Sequence, residues 1–180
     1  MLFHRLVLIT EKGVLIMEIS KAMLIQIQWE GPFKYEELAS LNDNKIDYGI
    51  YQIYGDHFVY GDNVLLYIGQ ASQQSFGTRI MQHSYWLEDD YTFYVGRISG
   101  SNTPSDDIWQ DEIAFAESLL INIHTPTFNS TNINRVNYAN LENIHILNLG
   151  KYKKLLPELS GIRWISKQHE VWPDIYRWGK

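Results

Sequence analysis

The hydrophobic pattern along the chain predicts four strands, one of them with alternating apolar and polar side chains, and three helices. In residues 22–29, Ile25, Ile27 and Trp29 share one face while Gln26 and Gln28 share the other, which predicts an edge strand. Residues 64–68 are almost wholly apolar, which is typical of a strand near the centre of a sheet. The pattern predicts strands at 22–29, 48–54, 64–68 and 91–98, and helices at 34–41, 76–87 and 103–123.

Residues that are typical of turns and helix ends mark most of the boundaries between these elements. Gly31-Pro32 ends the first strand, and Gly61-Asp62-Asn63 lies between two later ones. Thr103-Pro104-Ser105-Asp106 reads as a helix start, with Thr at the N-cap and Pro at the first helical position. Residues 125–145 are rich in Asn and predict irregular structure, followed by a small element around Leu155.

Composition indicates one packed domain. The chain has 180 residues and is 45% hydrophobic, and it has no cysteine, so a metal site would need oxygen or imidazole ligands. The net charge of −6 argues against non-specific nucleic-acid binding. Residues 131–180, however, carry eight Lys/Arg against four Asp/Glu, a net +4. This basic part is either a solvated surface or a phosphate-facing patch, whose candidate residues are Lys151, Lys153, Lys154, Arg163 and Lys167.

The N-terminal residues fit neither a membrane span nor a signal peptide. Leu6-Val7-Leu8-Ile9-Thr10 is apolar but short, and Glu11 and Lys12 interrupt the apolar run. We expect a cytoplasmic protein with no membrane partner. We interpret residues 1–16 as an extension outside the folded domain, because Met17 opens a more ordinary domain start. The remainder divides into an N-terminal flank (17–46), a core (47–130) and a basic, aromatic C-terminal flank (131–180).

Two tripeptides, Gly49-Ile50-Tyr51 and Tyr67-Ile68-Gly69, lie in neighbouring predicted strands. Alternation places Tyr51 on the face of Gly49, and Tyr67 on the face of Gly69 and Leu65. Glycines beside two phenols would leave room for a substrate backbone. Strands favour tyrosine for packing alone, so neither ring is informative singly.

Four further side chains carry candidate chemistry. Arg79 and His83, four apart on a predicted helix, could hold a phosphate and move a proton, or be a surface pair. Glu117 shares a helix face with Ile113 and Leu120, where a carboxylate needs a cation, an arginine or a backbone amide. A lone carboxylate favours a hydrated hard ion such as Mg²⁺. Asn129 follows a bend and would touch substrate, brace the site or simply form a turn.

Taken together and in this order, these residues resemble the GIY-YIG nuclease superfamily, and most of all its restriction-endonuclease branch. The resemblance covers about residues 47–130. It implies an α+β fold with a small, mixed, mainly antiparallel three-stranded central sheet flanked by helices. The matching motif residues are Gly49-Ile50-Tyr51, Tyr67-Ile68-Gly69, Gly77-Thr78-Arg79, His83, Glu117 and Asn129.

The resemblance implies hydrolysis of DNA phosphodiester bonds with Mg²⁺ (or Mn²⁺), and a homodimer on a palindromic site is one form that such an enzyme takes. Glu117 would hold the metal, and Arg79 would stabilise charge on the phosphate. Tyr51 would take the proton of the attacking water with help from His83, Tyr67 would orient water or phosphate, and Asn129 would position Glu117 or the backbone. The division of base duty among Tyr51, Tyr67 and His83 stays open.

Two other interpretations of the function remain. The chain could be a nucleic-acid-binding module with this fold and no turnover, although such a module has no need of a core-facing Glu117. It could instead be an interaction protein whose aromatic tail mediates assembly, which the acidic segment around the proposed site favours.

Overall fold

The structure is a computed structural model that describes most of the chain between residues 4 and 161. The side chains of residues 4–10 and 13–19, and of a few residues elsewhere, are not among the parts that the structure describes. The described ranges are 4–10, 13–19, 23–43, 45–87, 90–99, 106–133 and 141–161.

Eight strands and two α-helices make up the described secondary structure. Short 3₁₀ helices occur at Tyr35–Ser40 and Leu141–Asn143. The strands are β1 (His4–Thr10), β2 (Gly13–Ile19), β3 (Met23–Phe33), β4 (Gly49–His57), β5 (Gly61–Ala71), β6 (Thr92–Ser99), β7 (Ile144–Gly150) and β8 (Glu158–Ser160), and the helices are α1 (Phe76–Met81) and α2 (Asp106–His124).

The main sheet has six strands in the order β5-β4-β6-β3-β7-β8. Its neighbours pair antiparallel, except that β3 and β7 run parallel. The expectation of a three-stranded central sheet flanked by helices is therefore wrong, because the sheet is a six-stranded, curled half-barrel with few helices. The predicted edge strand β3 lies inside this sheet, and the predicted central strand β5 lies at its end.

The missed strand β7 explains much of this error. Its sequence lies within and just beyond the Asn-rich segment that predicted irregular structure. In the fold, Asn148 is 2% exposed and accepts a 2.8 Å hydrogen bond from Trp29 Nε1 on β3. Its side-chain amide donates to the Leu156 carbonyl at 2.7 Å. A satisfied buried asparagine thus occupies a strand position that its propensity disfavours.

The two faces of the sheet carry separate hydrophobic clusters. Ile50 and Tyr54 of β4 pack in one cluster with α2, whereas Tyr51 and Ile53 pack in the other with α1. A register shift opposite the step from Ile53 to Tyr54 marks a β-bulge in the β4–β5 pair. Bulges re-aim side chains and are frequent beside functional sites.

Helix α1 ends at Met81, six residues before the predicted end. Tighter i→i−3 hydrogen bonds follow it, such as that from the His83 N–H to the Ile80 carbonyl at 2.9 Å. The predicted helix start at residues 103–105 lies outside the described ranges.

Strands β1 and β2 pair with each other in a sheet of their own. The interpretation of residues 1–16 as an extension stays a prediction. Among the helices that the structure describes, none has the length and apolar content needed to cross a membrane.

Candidate active site

Strands β4 and β5 bring the two motif tyrosines together. Tyr51 pairs with Gly69 in the antiparallel register, and Ile53 pairs with Tyr67. The bulge leaves Leu66 without a partner residue and turns both Leu66 and Tyr67 toward the cluster that contains Tyr51. The ring centroids of Tyr51 and Tyr67 lie 6.1 Å apart.

The motif glycines make room for the protein's own groups. A Cβ on Gly69 would overlap the hydroxyl of Tyr51 and approach Cε1 of Tyr67 to 2.7 Å. Gly49 has a φ of +140°, and a Cβ there would overlap the carbonyl oxygen of Gly96 on β6. The space over Gly69 is therefore filled by the two phenols and that over Gly49 by the backbone of Gly96, so neither glycine leaves the open space that was expected for a substrate backbone.

His83 completes an aromatic group with the two tyrosines. Tyr51 Oη and His83 Nε2 form a 2.8 Å hydrogen bond. The imidazole also lies 5.0 Å from the Tyr67 ring, measured between centroids. Tyr51 is 0% exposed, whereas Tyr67 and His83 are partly exposed. The imidazole therefore connects a buried phenol to the surface.

The loop before α1 fixes the helix that carries Arg79. Ser75 caps it, and Asn42 Oδ1 accepts hydrogen bonds from the Ser75 hydroxyl and from the backbone N–H and hydroxyl of Thr78, the latter two at 3.2 Å. A Cβ on Gly77 would overlap the carbonyl oxygen of Leu38, so Gly allows α1 to approach the 3₁₀ helix closely.

Arg79 is partly buried and lies between the tyrosines and a polar cleft. Its Nη1 donates to Gln82 Oε1 at 2.9 Å, and Gln82 in turn donates to Gln74 Oε1 at 2.7 Å. The positive charge of Arg79 also lowers the pKa of both Tyr51 and Glu117. The cleft beside it has a volume of about 250 Å³ and is lined by Gln70, Ala71, Ser72, Gln73, Gln74 and Arg79.

Glu117 reaches the same place from α2, at the outer edge of β5. The backbone and side-chain amides of Gln70 lower the pKa of its carboxyl. Burial raises the pKa of Glu117 to about 7, although Arg79 and Gln70 act in the opposite direction. The negative charge of Glu117 raises the pKa of Tyr51 and of Tyr67, which places carboxylate, guanidinium and phenols in one electrostatic unit.

Asn129 holds the outer edge of β5 through the backbone of Ile68. Its Oδ1 accepts from the Ile68 N–H at 3.0 Å, and its Nδ2 donates to the Ile68 carbonyl at 2.9 Å. The neighbouring Phe128 N–H donates to the Leu66 carbonyl at 2.8 Å. An otherwise open strand edge is thus covered by side-chain and loop hydrogen bonds. In this structure Asn129 braces the strand that carries Tyr67 and Gln70.

Burial favours the neutral forms of Tyr51, Tyr67 and His83. Burial, then the proximity of Tyr67, raises the pKa of Tyr51 well above its ordinary value. Burial likewise raises the pKa of Tyr67. Burial, followed by the positive charge of Arg79, lowers the pKa of His83. A neutral imidazole is therefore available to accept a proton through Tyr51.

A hydrated divalent cation fits the donor set. Within the described ranges, no three His, Asp or Glu side chains are grouped closely enough to ligate a metal ion together. Mg²⁺ commonly keeps several waters and uses one or two carboxylates, and Glu117 supplies a hard, partly buried oxygen ligand. Because burial disfavours the ionised form of Glu117, a cation there would relieve that cost.

The proposed basic patch lies apart from these residues. Lys153 Nζ lies 3.8 Å from the Tyr54 ring centroid and donates to Asn63 Oδ1 at 2.5 Å. Lys154 Nζ donates to the Asn63 carbonyl at 2.6 Å. Lys151 is exposed, with its backbone N–H bonded to the Trp29 carbonyl. Arg163 and Lys167 lie outside the described residues.

Sequence reasoning missed two residues that build the site. Gln70, whose amides lower the pKa of Glu117, follows the Tyr67-Ile68-Gly69 tripeptide directly and lies just beyond the predicted strand 64–68. Asn42 lies in a segment with no motif, and only its three-dimensional contact with α1 shows its role. The sequence signal that could have identified Gln70 as a site residue is its position two residues after Ile68, on the edge strand.

Comparison with known proteins provides no relative. No protein-family model, no curated protein and no solved structure matches this chain.

Proposed function

We propose that the protein is a Mg²⁺-dependent DNA endonuclease of the GIY-YIG type that hydrolyses phosphodiester bonds, with Mn²⁺ as an alternative ion. The observation that supports this most is the convergence of Glu117, Arg79, Tyr51, Tyr67 and His83 beside an open polar cleft. Four separate elements supply these groups, namely β4, β5, α2, and α1 with the turn that follows it, so their proximity is not a consequence of local sequence. A cytoplasmic location, where DNA is accessible, belongs to the same proposal.

Glu117 would hold the metal ion, which would act as a Lewis acid and stabilise the leaving group when bound. Arg79 would contact the non-bridging phosphate oxygens, where negative charge develops. Gln82 Oε1 accepts a hydrogen bond from the guanidinium at 2.9 Å. This bond reduces the reorganisation that Arg79 needs when the phosphate arrives.

The tyrosines and His83 would remove the proton of the attacking water. Tyr67 is the partly exposed phenol, and its ring centroid lies 6.1 Å from that of Tyr51. A proton of water would pass to the Tyr67 oxygen while Tyr67 passes its own to Tyr51, and Tyr51 passes its own to His83 Nε2. The imidazole ends as imidazolium, so no free phenolate is required. This assigns Tyr51 a buried, middle position in the relay.

Plasmid nicking tests the proposal. Wild type with Mg²⁺ should convert supercoiled plasmid to the open circle, and Glu117→Gln should lose this by at least about 100-fold. Glu112→Gln is a matched control on the same helix, because burial also raises the pKa of Glu112 but no group of the site contributes to that shift. Nicking that survives equally in Glu117→Gln, or is absent from wild type, would contradict the proposal.

A binding module without turnover is the second candidate. The observation in its favour is the complete burial of Tyr51, which keeps that phenol from direct contact with bulk water. Binding of DNA with no nicking, unchanged in Glu117→Gln, would establish this alternative. A homodimer acting on a two-fold symmetric DNA site is proposed only together with the endonuclease.

A further inference from the structure

A continuous row of aromatic side chains leads away from the candidate active site. Successive ring centroids lie 5.9 Å apart from Tyr67 to Trp86, 5.4 Å from Trp86 to Phe128 and 5.8 Å from Phe128 to His57. His57 then stacks on Phe58 at 4.8 Å and on Tyr60 at 4.9 Å. We call these six residues the aromatic ridge: Tyr67, Trp86, Phe128, His57, Phe58 and Tyr60.

The ridge ends on rings that the protein leaves open to solvent. At the turn between β4 and β5, Phe58 is 97% exposed and Tyr60 is 65% exposed. Phe128, midway along the ridge, is 42% exposed. Exposed large rings in a contiguous group usually mark a binding surface.

The turn holds these rings in place. His57 Nδ1 accepts hydrogen bonds from the backbone N–H groups of Val59 and Tyr60, at 3.2 and 3.3 Å. The Asp56 carboxylate accepts from the Asn63 N–H at 2.7 Å, which closes the base of the turn. The exposed rings are therefore presented on a hydrogen-bonded support, which lowers the entropy cost of binding.

We propose that the aromatic ridge binds unstacked bases of the DNA strand whose phosphate is cleaved, so that the preferred substrate is single-stranded or locally unpaired DNA. This inference rests on the proposed nuclease function and specifies its substrate. Base–aromatic stacking is tolerant of sequence, because every base has a π-face. The ridge begins at Tyr67 in the candidate site, so a strand with its phosphate beside Arg79 has bases within reach of the ridge.

Positive charge beside the same hairpin favours DNA over an apolar protein partner. The exposed Lys154 donates from Nζ to the carbonyl of Asn63, at the start of β5. Its ammonium group is thereby fixed at the base of the hairpin that carries Phe58 and Tyr60. Cations that follow the backbone, together with rings that stack on bases, are the usual components of a single-strand binding surface.

Fluorescence anisotropy with fluorescein-labelled oligo(dT) and a duplex of equal length, both in EDTA, tests the inference without cleavage. Phe58→Ala should weaken single-strand binding about tenfold, and Phe58→Leu nearly as much, because leucine keeps the apolar bulk but lacks a π-face. Leu24→Ala, which removes an apolar side chain that is 56% exposed on β3, should leave binding unchanged. Duplex binding should be weaker and insensitive to Phe58.

Full single-strand affinity in Phe58→Ala would overturn the inference, as would full recovery by Phe58→Leu. A wild-type dimer that Phe58→Ala dissociates in sedimentation would also overturn it, since the ridge would then be covered by a second copy. If plasmid nicking is absent but ridge-dependent binding is present, the proposed nuclease fails and the binding surface stands. If nicking is present without ridge-dependent binding, the proposed nuclease stands and the proposed binding surface fails.

Discussion

Strand β4 buries two tyrosines three residues apart on opposite faces of the sheet, and their surroundings differ in kind. Tyr51 and Tyr54 are both 0% exposed, and burial raises the pKa of each. Tyr51 bonds His83, and its pKa responds to the charges of Arg79 and Glu117. Tyr54 donates to Gln52 Oε1 at 2.7 Å, and no carboxylate contributes to its pKa shift.

The difference shows that a buried phenol with a raised pKa does not by itself indicate an active site. Each face has a cleft, of about 250 Å³ beside Arg79 and about 290 Å³ beside Lys153. On the Tyr54 face, the cation Lys153 is held by Asn63 and by the Tyr54 ring. Among the residues that the structure describes, only the Tyr51 face combines its cation with a carboxylate whose pKa burial has raised.

Neutralising the cation on each face of the sheet should give the largest difference in nicking rate between the two faces. Arg79→Gln should reduce Mg²⁺-dependent nicking by about 100- to 1,000-fold, because it removes the donor to the charged phosphate. Lys153→Gln should change the nicking rate less than about twofold, since Lys153 has no place in the proposed chemistry and its loss mainly affects stability. Nicking rates on supercoiled plasmid measure both variants. A comparable loss of activity in Lys153→Gln would contradict the placement of the active site on the Tyr51 face.

Removing one hydroxyl from each tyrosine sharpens the comparison. Tyr51→Phe should lower the nicking rate about 100-fold, because the relay to His83 is broken. Tyr54→Phe should leave the rate unchanged. Both should reduce the free energy of unfolding by about 1 kcal/mol, the usual cost of one lost hydrogen bond. Equal nicking rates for the two variants, with urea unfolding showing both folded, would remove Tyr51 from the mechanism.

The two faces should also give opposite, smaller dependences of stability on pH. The pKa of Glu117 is raised to about 7 in the folded protein, so the stability this group contributes is present below its unfolded value and declines as pH rises through about 7. The pKa of Lys153 is lowered to about 8, first by burial and then by Lys154, so its contribution is present at high pH and declines as pH falls through about 8.

Urea unfolding without metal at a series of pH values measures these slopes. Glu117→Gln should flatten the curve between about pH 4.5 and 7, and Lys153→Gln should flatten it between about pH 8 and 10.5. An unchanged slope in Glu117→Gln would contradict the burial of that carboxyl.

The local chemistry of the site follows from the sequence more readily than the fold does. Strand alternation and the two tripeptides predict that Tyr51 and Tyr67 lie on neighbouring strands, and they do. The bulge at Leu66, however, cannot be read from alternation, and it decides which face Tyr67 shares. The parallel pairing of β3 with β7 depends on contacts such as Trp29–Asn148, 119 residues apart. Such long-range pairings have no local sequence signal.

Anomalous scattering from Mn²⁺ in crystals of the protein with a short DNA tests the central claim most directly, because it locates the metal and the phosphate together. The account predicts a Mn²⁺ peak within coordination distance of the Glu117 carboxylate, lost in Glu117→Gln, with a DNA phosphate between that peak and Arg79. A peak elsewhere, or DNA whose phosphates contact only the Lys153 face, would contradict it.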